Sequence, residues 1–357
     1  MPDAASRRGY LDWLRGLAVL LMIEAHVIDA WTRAADRLGA AYHGSIVLAG
    51  FAAPLFTFLA GLTAVLSAES KARRSDGATA AAAVARRGWE IFGLAFLFRL
   101  QAMIVSLGRP SHLLKVDILN VMGPSIVASA AIWQMSRARA GRLAAFACAT
   151  VAVAVLTPLA RTTEWLAPLP DPIEWYLRPP AGRNWFSFFP WLAFPFAGAG
   201  VGLLIDATRD GRRERLVMLG LALGGAAMWV ASYARSLTPG LFDDPAAWVG
   251  SPTFFYLRLG TLLALVPAAW MAGRARWLQE FGRSSLFVYW IHVEMVYGLV
   301  SYPLHLALPL LWSWIGLGLF TVFIYRIVLM KNRWVPAWRA SRRAGSIVGR
   351  VADAVLG

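Results

Sequence analysis

Three observations point to an all-α protein, a polytopic membrane helix bundle of about ten transmembrane helices with both termini cytoplasmic. The first is composition. Of 357 residues, 58% are hydrophobic and 15% charged, whereas a soluble domain carries roughly a quarter charged residues. A water-soluble core has no room for so much apolar surface, and lipid does. The second is that the apolar residues fall into ten stretches, each near the roughly 20 residues that a span requires. The third is the placement of Lys and Arg, which collect in alternate connections.

The stretches are about 11–30, 45–67, 88–107, 113–135, 142–160, 187–205, 216–234, 253–272, 284–301 and 305–329. The first holds Asp12, Arg15, Glu24, His26 and Asp29, which an inert signal-peptide core would not carry. Ala-rich residues 71–83 read as a mobile connection between the second and third. The longest opposite-side connection, 161–186, is rich in Pro and Trp, and 235–252 is the next. Either set of loops suits an acceptor cleft or an interfacial aromatic belt. One bundle over residues 1–330 and a basic tail over 331–357 complete the organisation. No internal repeat stands out.

Counted by side, the connections and tail of one face hold 23 Lys and Arg and those of the other hold 8. The richer face is expected to be cytoplasmic. Arg7, Arg109, Arg183 and Arg209 enter that count. This segregation accounts for the net charge of +15 without a nucleic-acid partner. Cys148 is the single cysteine, so an internal disulfide is excluded. The chain has no metal-ligand spacing, phosphate-binding loop, dinucleotide-binding glycine motif or nucleophile elbow.

Ionisable groups inside a bilayer cost at least a few kcal/mol each, which makes them candidates for function. At about 100° per residue, Asp12, Arg15, His26 and Asp29 share one arc of helix 1, with Glu24 on the opposite face. Arg15 and His26 lie roughly 16 Å apart along the axis. Arg99 and Gln101 on helix 3, Asp117 and Asn120 on helix 4, and Arg258 on helix 8 are expected in the outer half. Tyr289 and His292 share a stripe on helix 9, and Arg326 falls at the inner edge of helix 10.

Each candidate also has a purely structural reading. Arg99 with Asp117 forms either a buried pair that fixes packing or part of a reactive site. His292 either joins two helices or takes part in chemistry. His26 has Asp29 three residues away as an orienting carboxylate. His43 lies on the first outer connection.

The run Tyr10-Leu-Asp-Trp-Leu-Arg-Gly-Leu-Ala-Val-Leu-Leu-Met-Ile-Glu-Ala-His26 resembles the first helix of the transmembrane acyltransferase superfamily. That group includes acyltransferase-3 enzymes and heparan-α-glucosaminide N-acetyltransferase-like proteins. Ala53-Pro-Leu-Phe-Thr-Phe-Leu-Ala-Gly61, Val116-Asp-Ile-Leu-Asn-Val-Met-Gly123, Phe189-Pro-Trp-Leu-Ala-Phe194 and Phe281-Gly-Arg-Ser-Ser-Leu-Phe-Val-Tyr-Trp-Ile-His292 extend the likeness, which is nearest to the heparan-acetyltransferase-like bacterial branch.

The resemblance implies a bacterial plasma (inner) membrane enzyme. It would move an acyl group, acetyl above all, from cytoplasmic acetyl-CoA or another acyl-CoA to a hydroxyl or amine of an extracytoplasmic acceptor such as a glycan. No metal is implied, and the oligomeric state is left open, a homodimer included. Asp12, Arg15 and Arg326 would serve the donor. His26 with Asp29, or His292, would serve catalysis, with His43 as the alternative carried by the heparan enzyme's pattern. Asn120, Gln101 or Tyr289 would steady the developing oxyanion. A transporter or flippase with a polar pathway is the competing reading, and it predicts inverted halves that the sequence does not display.

Overall fold

The structure is a computed structural model that describes residues 8–105, 110–179, 186–208, 211–238, 248–341 and 355. For 111–112 and 336–341 only the backbone is described. Arg7, Arg109, Arg183 and Arg209, the middles of the two long connections and the tail beyond residue 341 lie outside the described residues. Among the described residues, 85% are helical. Its α-helices are α1 Gly9–Trp31, α2 Ala40–Ala49, α3 Ala52–Ala72, α4 Gly77–Val105, α5 Ile118–Gln134, α6 Arg139–Thr162, α7 Asp171–Leu177, α8 Phe188–Trp191, α9 Ala193–Asp206, α10 Gly211–Ser236, α11 Pro252–Ala272, α12 Arg276–Arg283, α13 Ser285–Tyr297 and α14 Leu310–Ser341.

Against about ten expected spans, seven helices among the described residues are long and apolar enough to cross a membrane. The shortfall has identifiable causes. Four carboxylates or guanidinium groups interrupt α1 (Asp12, Arg15, Glu24, Asp29), α5 has 17 residues, and α13 has 13 before a 3₁₀ segment, Leu299–Leu304, continues it. The expected second stretch is among the seven, within Ala40–Ala72, although turns at Gly50 and Phe51 divide it; Pro54 sits in the first turn of α3, where a missing N–H costs no helical bond.

One local expectation is corrected. The Ala-rich segment is largely helical, because alanine has the highest helix propensity and Asp76 caps the start of α4 by accepting from the Thr79 N–H at 2.9 Å. Helix α14 runs through residue 330, where the basic tail was expected to begin. Apolar side chains such as Val151, Val155 and Leu159 on α6, and Leu311, Ile315 and Leu319 on α14, are exposed at helical spacing, as lipid-facing stripes are.

The chain divides into two compact units, each assembled from separated segments. The first comprises residues 1–53, 101–109 and 271–357. Here α1 packs against α12, α13, α14 and α2. Its tightest contact is with α12: a Cβ on Gly16 would lie 1.9 Å from the Leu278 carbonyl oxygen, and one on Gly282 1.9 Å from that of Asp12. Only hydrogen fits at either crossing. Beyond the far end of α1 the chain is tied to the segment before α14. Leu306 N–H donates to Ala30 O, Leu308 N–H to Trp31 O and Arg33 N–H to Leu308 O, each at 2.9 Å. Leu306 adopts φ 53°, which a branched side chain tolerates poorly. Asp36 caps α14, accepting from the Leu310 N–H at 2.8 Å.

The second unit comprises residues 54–100 and 110–270. Its helices also meet through small residues: a Cβ on Gly61 would lie 1.8 Å from Pro195 O, and one on Gly198 1.9 Å from Phe58 O, so α3 and α9 touch backbone to backbone. Ion pairs close one end. Glu69 accepts from Arg142 at 2.7 Å and from the Trp133 indole at 2.9 Å, while Asp206 meets Arg73 at 3.1 Å and Arg139 at 3.6 Å.

Candidate active site

The two histidines singled out on separate helices meet. His26 on α1 and His292 on α13 approach with Nδ1 of His26 2.8 Å from Nε2 of His292. Their rings are stacked at 5.0 Å with 16° between planes. His292 is fully buried, and its Nδ1 lies 2.7 Å from the carbonyl oxygen of Val288, one turn back. Tyr289 meets the His292 ring edge-on at 6.2 Å, and Tyr297 meets the His26 ring edge-on at 5.6 Å. Gln101 accepts from the Trp290 indole in the same unit.

Among the described residues no hydrogen bond joins Asp29 to His26, the partner its spacing suggested. Its carboxylate accepts from the Tyr297 hydroxyl at 3.0 Å and faces the Arg37 guanidinium at 3.6 Å. Arg37 is fixed in turn by the carbonyl of Thr32 at 3.1 Å and that of Asp29. A residue three positions along a helix shares a face but sits about 4.5 Å further along the axis, and two outside donors claim the carboxylate first. His43 is exposed on α2, with Nδ1 3.0 Å from Gly39 O.

Asp12 lies at the opposite end of α1 and is buried. It meets Arg15 at 3.6 Å and Arg283 Nε at 3.3 Å. Both guanidinium groups keep exposed surface, 29% and 49% of their side chains. Arg326 is exposed on α14. Lys331 donates to the Ser284 hydroxyl at 3.0 Å. Sequence reasoning missed Arg283, although it lies within the Phe281–His292 motif. Arg37 was not singled out either, nor was Tyr297, which is off the His292 stripe.

The remaining candidates belong to the second unit and are occupied locally. Asp117 caps α5, accepting from the backbone of Leu119 at 2.9 Å and of Asn120 at 3.2 Å, and pairs with Arg99 at 3.1 Å. Asn120 completes the capping box by accepting from the Asp117 N–H at 3.0 Å, and it donates to the Tyr176 hydroxyl at 3.0 Å. The Arg258 guanidinium lies 4.5 Å from the Phe254 ring centroid.

Outside the spans, the Leu310 N–H and then the Arg33 side chain hold the Asp36 carboxyl below its ordinary value. Among the described residues no three His, Cys, Asp or Glu side chains converge as metal ligands would.

No curated protein is similar enough to count as a relative. The chain does match a family, heparan-alpha-glucosaminide N-acetyltransferase, catalytic, over residues 7–236. The match takes in His26, Asp29 and His43, ends before His292, and favours an enzyme over a transporter. With most of its length so matched and its helices apolar enough for lipid, the chain belongs to this family of membrane acetyltransferases.

Proposed function

We propose that the chain transfers an acyl group, acetyl in keeping with its family, from acyl-CoA to a hydroxyl or amine of an acceptor across a bacterial plasma membrane. The donor enters at the Asp12 end of α1, which faces the cytoplasm with both termini, and the acceptor, a glycan, arrives at the His26 end. The contact between His26 and His292 carries this reading. Two imidazoles brought together from two helices within the bilayer are costly, and base catalysis accounts for them.

The donor end suits the phosphates of CoA. Arg15 and Arg283 share one carboxylate, Asp12, and retain exposed surface to meet an anion. The roughly 16 Å from there to His26 is within reach of an extended pantetheine arm. His26 takes the proton of the acceptor O–H or N–H as that atom attacks the thioester carbonyl. The new O–acyl or N–acyl bond forms, the C–S bond breaks, and the proton passes to the departing thiolate. Overall, acyl-CoA and acceptor become acylated acceptor and CoA.

The test is single-turnover transfer from acetyl-CoA to amine-bearing and hydroxyl-bearing sugars by full-length protein in lipid. His26→Ala should nearly abolish transfer. A dead His43→Ala beside an active His26→Ala overturns the assignment. Arg15→Ala should weaken donor binding by about 1.5 to 3 kcal/mol, the worth of a charge-assisted bond, in calorimetric titration. Cysteines placed at Ser75 and Thr163 should be, respectively, protected from and reactive with an impermeant thiol reagent added outside cells.

A further inference from the structure

The hydrogen bonds around the two imidazoles fix where their protons sit. Nδ1 of His292 faces the Val288 carbonyl oxygen at 2.7 Å, and a carbonyl only accepts, so that nitrogen carries hydrogen. His292 is fully buried and no carboxylate bonds to it among the described residues. A doubly protonated ring would therefore be a buried charge without a counter-ion, a costly state. In the neutral ring, Nε2 has a lone pair and no hydrogen. The 2.8 Å contact then requires Nδ1 of His26 to be the donor.

We propose that His292 is a positioning residue that locks His26 in the Nδ1–H form and so makes Nε2 of His26 the basic nitrogen. A free neutral imidazole side chain prefers the opposite form, with hydrogen on Nε2. Without His292 the nitrogen facing away along the pair would be a donor, unable to take a proton from an acceptor. The Val288 carbonyl, His292 and His26 thus form a line of three groups, each setting the proton of the next. This is the role that an Asp or Glu plays behind a catalytic histidine elsewhere, filled by a neutral ring suited to a low-dielectric site. Asp29 is unsuited to that role here, being bound to Tyr297 and Arg37. The catalytic consequence rests on His26 being the base, while the tautomer itself does not.

The two are separable by experiment. Full-length protein labelled with ¹⁵N-histidine in lipid nanodiscs contains five histidines, and the His26 signals are those lost in His26→Ala. Wild-type His26 should give a protonated Nδ1 and an unprotonated Nε2 at neutral pH. In His292→Leu, which fills the buried volume with no acceptor, His26 should switch to Nε2–H. Its kcat should fall by about 10²- to 10⁴-fold, the range for loss of a general base, with the KM for acetyl-CoA unchanged. His292→Gln, whose amide oxygen accepts a hydrogen bond, should restore the Nδ1–H form and much of kcat.

Wild-type His26 found with hydrogen on Nε2 overturns the proposal, and this spectrum decides even if His292→Leu fails to fold. So does a His292→Leu protein in which His26 keeps the Nδ1–H form. A wild-type spectrum as expected, with transfer unaffected by His26→Ala, leaves the lock standing and removes the reading of His26 as the base.

Discussion

The His26–His292 contact and the Arg99–Asp117–Asn120 cluster were flagged by the same reasoning, that polar groups in apolar helices are expensive. They differ in what remains after local bonds are made. In the cluster the groups are held by local caps and one ion pair: Asp117 and Asn120 close a capping box, Asp117 faces Arg99 at 3.1 Å, and Asn120 reaches Tyr176, while Arg99 Nε and Asp117 Oδ2 are buried without a hydrogen bond among the described residues. In the histidine pair one nitrogen bonds a backbone carbonyl and two bond each other. Among the described residues nothing engages Nε2 of His26. The cost of burial identifies both as worth explaining, and what separates them is the kind of partner: a carboxylate held by a helix cap and a cation in one, two imidazole rings bonded to each other in the other.

The sharpest test of that contrast compares His26→Ala with Arg99→Ala. The first should lower transfer by about 10² to 10⁴ with little change in melting temperature. The second leaves Asp117 buried without its cation and should cost about 3 to 5 kcal/mol of stability, read as lost folded yield and a lowered thermal midpoint. Turnover per folded molecule should be nearly kept. A reversal, with Arg99→Ala folded but inactive, would move the chemistry into the second unit.

A smaller effect is expected at Asn120. Asn120→Ala removes a capping-box partner and the Tyr176 bond, at about 1 kcal/mol, and thermal unfolding in lipid should register it. Loss of turnover at full stability would instead make Asn120 an oxyanion donor. The smallest effect is pH-dependent. Asp36 titrates below its ordinary value because its ionised form accepts from Leu310 N–H and Arg33. Its contribution to tethering α14 is therefore fully present above the ordinary carboxyl pKa and is lost as pH falls through the lowered one. The protection factor of the Leu310 amide, its exchange corrected for the intrinsic pH dependence, should be unchanged from neutral pH down to about 4 and fall only in stronger acid, whereas Asp36→Asn should abolish that dependence. An Asp36→Asn protein that keeps the wild-type acid response would assign it to another group.

The helical class, the candidate spans and the polar positions on α1 were legible in sequence because they follow from local quantities: run length, residue type and the 3.6-residue period. The same quantities led to His26 and His292 as separate candidates. Their meeting was not legible, since 266 positions separate them and no periodicity links α1 to α13. Tertiary packing decided it: Gly16 and Gly282 let α1 and α12 touch at backbone distance, and α13 follows α12 directly.

Packing likewise drew Asp29 to Tyr297 and Arg37, where sequence spacing had assigned it to His26. Helical spacing fixes which face a side chain leaves from, whereas its partner is whichever donor the neighbouring chain brings within about 3 Å. The sequence by itself thus determined that α1 carries imidazole, carboxylate and guanidinium groups along one face. Only the tertiary structure decided which partner each of them meets, because hydrogen-bond satisfaction is a property of contacts between segments and not of any one segment.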